Sequence, residues 1–172
     1  MRIMLLGADE VRPIGTGNDP RPASLGGLRL RGLLARLSLD AGRPVAVNQL
    51  VDDLWGEAPP DGAPNALQAL VSRLRRAIGA DLVDTAARGY RLRVLQDAVD
   101  AHKFTTLLAE ADAAGDANAH ALLGQALTLW RGPALADVLD LPFARPVAHR
   151  LAAVAEMPRA KGLAVLMEVA KP

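Results

Sequence analysis

The stretch that decides the fold runs from residue 65 to residue 94 and reads NALQALVSRLRRAIGADLVDTAARGYRLRV. With successive side chains 100° apart on a helix, Leu67, Leu70, Val71, Leu74 and Ile78 fall in one apolar stripe. Asn65, Ala69, Ser72 and Arg76 lie opposite, flanked by Arg73 and Arg75. Gly79 closes the pattern, so an amphipathic helix with a basic outer face is expected. Residues 82–85 and 90–94 then read as strands around Ala86-Ala87-Arg88-Gly89. In the second strand Tyr90, Leu92 and Val94 alternate with Arg91 and Arg93, which gives one face for packing and one cationic face. Six arginines oppose two aspartates, Asp81 and Asp84, in a chain whose formal net charge is only +1. Positive charge is concentrated where helix and hairpin meet, the footprint of a duplex-binding device.

Upstream, residues 57–63 hold two prolines and a glycine and read as a loop, with Pro64 tolerated in the first turn of the basic helix. Before the loop, residues 49–55 form a short helix with Asn48 as its N-cap and Gly56 at its end. It offers Leu50, Val51, Leu54 and Trp55 to a core. A first helix over residues 28–41 carries Leu30, Leu33, Leu34 and Leu37 at helical spacing and stops at Gly42 and Pro44. Apolar runs at 3–6, 11–14 and 23–25, interrupted by the Gly/Pro/Asp-rich turn 15–20, read as three short strands of an antiparallel sheet. Residues 45–47 could supply a fourth. Three helices, the last one basic, followed by an arginine-bearing hairpin, define an α+β winged helix-turn-helix.

Such a unit binds DNA because the major groove admits one helix whose side chains reach base edges, while phosphate contacts from the helix flanks and wing fix its register. Arginine serves both tasks, since its planar fork pairs two acceptors on guanine or clasps a phosphate. On their own, the same three helix arginines would more often mark a solvated surface than a DNA reader. The hairpin and the two preceding helices favour DNA.

Composition sets the outer bounds. A chain of 172 residues that is 51% hydrophobic can bury one good core or two small ones. The absence of cysteine excludes disulfides and thiolate chemistry and agrees with a reducing cytoplasm. The apolar start, Ile3 to Leu6, gives way to Asp9 and Glu10 too soon for a signal peptide or a membrane span, so a cytoplasmic protein is expected. Trp55 and Trp130 read as core anchors and Tyr90 as a packing residue of the wing. With no repeated aromatic series for single strands or RNA, duplex DNA is the expected nucleic-acid partner.

The remaining part, from about residue 98, is helical in pattern and mildly acidic. Asp100 can cap a helix with Phe104, Leu107, Leu108 and Ala111 on one face. After Gly115, Asp116 can cap another bearing Leu122, Leu123, Ala126 and Trp130. At most two antiparallel pairs of this tetratricopeptide-like kind fit, and they could mediate dimer or polymerase contacts or simply buttress the winged helix. Pro158 and Gly162 are expected to interrupt the helix that follows Arg150.

Residues 25–31 (LGGLRLR), then Leu54-Trp55-Gly56, Leu67-Gln68, residues 71–76 (VSRLRR), residues 89–92 (GYRL) and residues 129–135 (LWRGPAL) resemble, in order and spacing, the Streptomyces antibiotic regulatory protein family. The likeness covers residues 1–156 and fades beyond Met157, and the family's helical domain is roughly twice as long. The resemblance implies an OmpR-type winged-helix domain at residues 1–94, with a four-stranded amino-terminal sheet, and a partial helical bacterial transcriptional activator domain at residues 95–172. It also implies binding to direct repeats near promoters of antibiotic biosynthesis genes, an arrangement compatible with a homodimer on DNA, and recruitment of RNA polymerase holoenzyme. By the same resemblance Arg73 is the base-contacting arginine, with Gln68, Ser72, Arg75 and Arg76 beside it and Arg88 and Arg91 on the wing. Glu57, Ala58, Pro59, Pro60 and Asp61 form the loop that touches polymerase.

Catalysis is not expected. Serine occurs only at Ser24, Ser38 and Ser72, the histidines His102, His120 and His149 are scattered and read as surface residues, and no phosphate-binding Gly-Lys-Ser/Thr turn occurs. Gly15-Thr16-Gly17 is a fragment of a dinucleotide fingerprint without its third glycine. No cofactor and no metal is therefore expected. The alternative from another class is a protein-interaction module, or a degenerate regulator that keeps the fold without activating transcription.

Overall fold

The computed structural model describes residues 1–8, 10–12 and 25–169. Its elements in chain order are β1 (Arg2–Met4), β2 (Glu10–Arg12), α1 (Leu28–Leu39), β3 (Pro44–Ala46), α2 (Val47–Trp55), α3 (Ala63–Ile78), β4 (Val83–Ala86), β5 (Gly89–Leu92), α4 (Asp100–Ala113), α5 (Asp116–Thr128) and α6 (Ala144–Val169). A winged helix precedes a helical domain, as expected.

α3 buries Leu67, Leu70, Val71 and Leu74 and half-buries Ile78, the stripe the spacing predicts. Leu50 and Leu54 of α2 meet it in the core. Val51 and Trp55 are only half-buried, and Trp55 spends one ring face on the Arg29 guanidinium, 5.6 Å from the ring centroid. α2 begins two residues earlier than predicted, so Asn48 lies inside its first turn and makes no cap; Ala46 is the capping residue. Arg36 braces α1 to α2 through the carboxylates of Asp40 and Asp53. Burial works against its charge, but the two hydrogen-bonded carboxylates outweigh it and hold the guanidinium pKa above the ordinary value.

α1 departs from a simple one-sided helix. Beyond Leu30, Leu33, Leu34 and Leu37 it also buries Gly32, Ala35 and Ser38. Its second face packs against the segment before α6, where a Cβ on Gly32 would fall 2.0 Å from Leu141 Cδ1. At the end of α1, His102 of α4 lies 3.1 Å from the Ser38 carbonyl and is half-buried, whereas His120 and His149 are exposed as predicted.

The strands form two sheets. β1 and β2 pair antiparallel with Ile3 opposite Val11. Of the strands expected beside them, residues 13–14, 23 and 24 and the turn 15–20 lie outside the described residues. The predicted fourth strand exists one residue earlier than expected, as β3, but joins the other sheet, whose order is β3-β5-β4. The reason is geometric. A two-stranded hairpin leaves one edge of β5 unpaired, and β3 covers it with Val45 opposite Tyr90 and Ala46 opposite Gly89. At Gly89 β3 and β5 approach so tightly that a Cβ would sit 1.9 Å from the Val45 carbonyl oxygen. Since the obstacle is backbone, Gly89→Ala must part the strands and is expected to cost about 2–3 kcal/mol. A lowered urea midpoint with faster amide exchange in residues 83–92 is the expected measurement.

The helical half is one hairpin, α4–α5, plus α6, within the expected limit of two pairs. Phe104, Leu107 and Ala111 are buried, and Phe104 meets the half-buried Trp130 edge to face at 5.5 Å and 81°. Gly115 holds the capping position ahead of α5, with Asp116 as its first residue. Pro158 does not interrupt α6, which runs on to Val169. Proline removes one backbone donor, and the alanine- and leucine-rich flanks, strong helix formers, carry the helix across it.

β1 and the turn after it join the halves. Ile3 bridges Val99, while Leu5 and Leu6 donate their amides to the two carboxylate oxygens of Asp100 at 2.7 and 3.0 Å. Their carbonyls accept from Leu135 and Arg131, each at 2.8 Å. Asp100 is therefore the first helical residue of α4 and a buried staple, not the predicted cap; Val99 occupies the cap position. Burial pushes its carboxyl pKa up, and the two amides and Arg131, 3.7 Å away, pull it back only in part. Gly7, at φ 148°, lies so close to Arg131 that a Cβ would be 3.0 Å from the arginine Cβ. A single apolar cluster, from Ile3 through Leu50, Leu74 and Phe104 to Ala155, runs through both halves.

Candidate nucleic-acid interface

The solvent face of α3 carries Gln68, Ser72, Arg73 and Arg76, all exposed. The apolar stripe fixes that orientation, because the residues between the buried leucines have nowhere to point but outward. Arg73 reaches the Gly26 carbonyl, just ahead of α1, in a long 3.4 Å contact. Arg76 bends back to the Ser72 carbonyl at 3.4 Å. Both contacts are at the weak end of hydrogen-bonding distance and exposed to water, so either guanidinium can exchange them for a base or a phosphate at small cost.

Arg75 is employed differently. Its Nε donates to the Val83 carbonyl at 2.9 Å and its Nη2 to Thr85 Oγ1 at 3.0 Å, which ties the end of α3 to β4. Arg91 is also engaged inside the protein, paired with Asp84 at 2.7 Å, with Arg93 3.7 Å from the same oxygen. Arg88 sits in the two-residue turn between β4 and β5 with its side chain exposed, and its carbonyl accepts from the Val47 amide. Of the seven residues singled out from the sequence, Gln68, Ser72, Arg73, Arg76 and Arg88 thus face solvent. Arg75 and Arg91 hold wing and helix in shape.

The loop of Glu57, Ala58, Pro59, Pro60 and Asp61 is exposed throughout, between Gly56 at φ 60° and Gly62 at φ 69°. Two features of the neighbourhood escaped the sequence reading. The wing arginines share a carboxylate, and Arg29 stacks on Trp55; neither follows from periodicity, since both depend on which strands and helices become neighbours. Strand register could have exposed the first, because Asp84 lies opposite Arg91 once the turn is fixed at Ala87-Arg88. Among the described residues no cluster of His, Asp or Glu could hold a metal ion, and no helix is long and apolar enough to cross a membrane.

Residues 28–92 match the family described as Transcriptional regulatory protein, C terminal, and residues 99–160 match the Bacterial transcriptional activator domain. The chain is 37% identical to the transcriptional regulator RedD of Streptomyces coelicolor over 145 residues, which cover 76% of this chain and 41% of that protein. It is 34% identical to the transcriptional regulatory protein EmbR of Mycobacterium tuberculosis, across 91% of this chain and 46% of the relative. The solved structure of Mycobacterium tuberculosis EmbR in complex with a low affinity phosphopeptide superposes with a TM-score of 0.81 at 30% identity, covering 94% of this chain and 44% of that one. The chain therefore spans less than half the length of these relatives.

Proposed function

Because this chain belongs to the Streptomyces antibiotic regulatory protein family, a family of DNA-binding transcriptional regulators and not of enzymes, we propose that it activates a biosynthetic gene cluster by binding direct repeats near a promoter. In this reading α3 enters the major groove. Arg73, Ser72 and Gln68 meet base edges, and Arg76 and Arg88 contact phosphates on either side. Arg75 and Arg91 act by positioning, the first setting the angle between helix and wing. The observation that carries the reading is the exposed polar and cationic face of α3 next to a braced wing, in a chain of almost no net charge. Two protomers on repeats one helical turn apart would lie on the same side of the duplex, and the exposed loop from Glu57 to Asp61 would then face RNA polymerase.

A footprint on promoter regions next to the gene, followed by a salt titration and a polymerase-recruitment assay, tests this. Arg76→Ala is expected to weaken all duplexes alike and to flatten the slope of log affinity against log salt by about one unit. Absence of salt-dependent affinity for any duplex would replace the regulator with the interaction-module alternative.

A further inference from the structure

The wing carries three cations, Arg88, Arg91 and Arg93, and presents them unequally. Arg88 projects from the turn. Arg91 and Arg93 converge on one oxygen, Asp84 Oδ2, at 2.7 and 3.7 Å. Register produces the convergence. Asp84 stands directly opposite Arg91, and Arg93, two residues further along the strand direction, emerges on the same face. The carboxylate is only 27% exposed while the two arginine side chains are 42% and 60% exposed, so the anion is partly sheltered from solvent and the cations are still reachable from outside.

We infer that Asp84 is an attenuator of DNA affinity: it withholds Arg91 and Arg93 from phosphate and leaves Arg88 as the wing's cation without a carboxylate partner among the described residues. The inference rests on the DNA-binding reading given above. Phosphate contacts carry no sequence information, and each one adds to affinity for every duplex in a salt-dependent way. A carboxylate that engages two of the wing's three cations lowers this uniform component without touching the base-facing residues of α3. Recognition then depends more on Arg73 and its neighbours and on occupancy of paired sites.

The test uses the full chain and two fluorescent duplexes of equal length, one selected from a random-sequence pool by the wild-type protein and one unrelated. Asp84→Asn is expected to tighten both by roughly 3- to 10-fold near 0.1 M salt and to steepen the salt slope by about one to two units. Glu110→Gln, the same charge change at an exposed position of α4, is expected to leave both unchanged. Arg93→Ala should alter the slope little in the wild type but remove about one unit in the Asp84→Asn background, a non-additivity that a merely structural ion pair would not give. An unchanged slope in Asp84→Asn, with circular dichroism showing an intact fold and wild-type binding present, would overturn the attenuator alone. Failure of the wild type to bind either duplex would overturn the DNA-binding reading and the attenuator with it.

Discussion

Replacing Asp100 by alanine is expected to lower the unfolding free energy by about 3 kcal/mol or more, since each of the two buried amides it accepts would cost about 1–3 kcal/mol when left without a partner. The donors are Leu5 and Leu6, and both leucine side chains are fully buried, so water cannot take over the carboxylate's role without opening the core. The loss should also spread. With β1 released, the Arg131 and Leu135 amides lose their anchored acceptors, and the contact between the two halves loosens. A urea titration followed by tryptophan fluorescence should show a lower midpoint, and because Trp55 and Trp130 report on different halves, a transition that ceases to be single. An unfolding free energy within about 0.5 kcal/mol of wild type would mean that Asp100 is not the staple.

The second large effect is expected at Arg73. Arg73→Ala should weaken binding to the best operator by about 1–3 kcal/mol, roughly 5- to 150-fold in Kd, and relax the preference for one base. The wild-type contact that must be given up, to the Gly26 carbonyl, is long and exposed, so it offsets little of that gain. Stability should change little, because the side chain is exposed and its one hydrogen bond is long. Competition titrations against single-base operator variants provide the measurement. Equal affinity of wild type and variant at every salt concentration would remove Arg73 from the interface.

Most of the winged helix was legible in the sequence because its signals are local. The stripe of Leu67, Leu70, Val71 and Leu74 fixes both the helix and its outward face, and the alternation from Tyr90 to Val94 fixes the second strand. What escaped depends on partners distant in the chain. Nothing near Val45 says that it will pair with Tyr90 and not with the amino-terminal strands, since a short strand fits any open edge. Asp100 looks like a helix cap by position and becomes a staple only because Leu5 and Leu6 arrive from the other end of the sequence. α1 looks one-sided because alanine, glycine and serine weigh little in a periodicity, though Gly32, Ala35 and Ser38 line a second buried face. Pro158 was read by its usual effect on a helix, which its helix-forming neighbours outweigh. The candidate interface was legible by residue type but not by role. Arg75 and Arg91 look like Arg73 and Arg76 in sequence. What separates them is the short contacts of the first two to Val83, Thr85 and Asp84 against the long 3.4 Å contacts of the other two, and this depends on which strands become neighbours.

The thread of β1 between the halves bears on how such regulators can be recombined. A chimera spliced at residue 94, with the head of one relative on the helical body of another, would keep each half's sequence whole and still mismatch the seam, because the head brings its own residues 3–8 to a foreign Asp100 and Arg131. The exchangeable unit is discontinuous: the opening residues, with β1 and its partner strand β2, travel with the body.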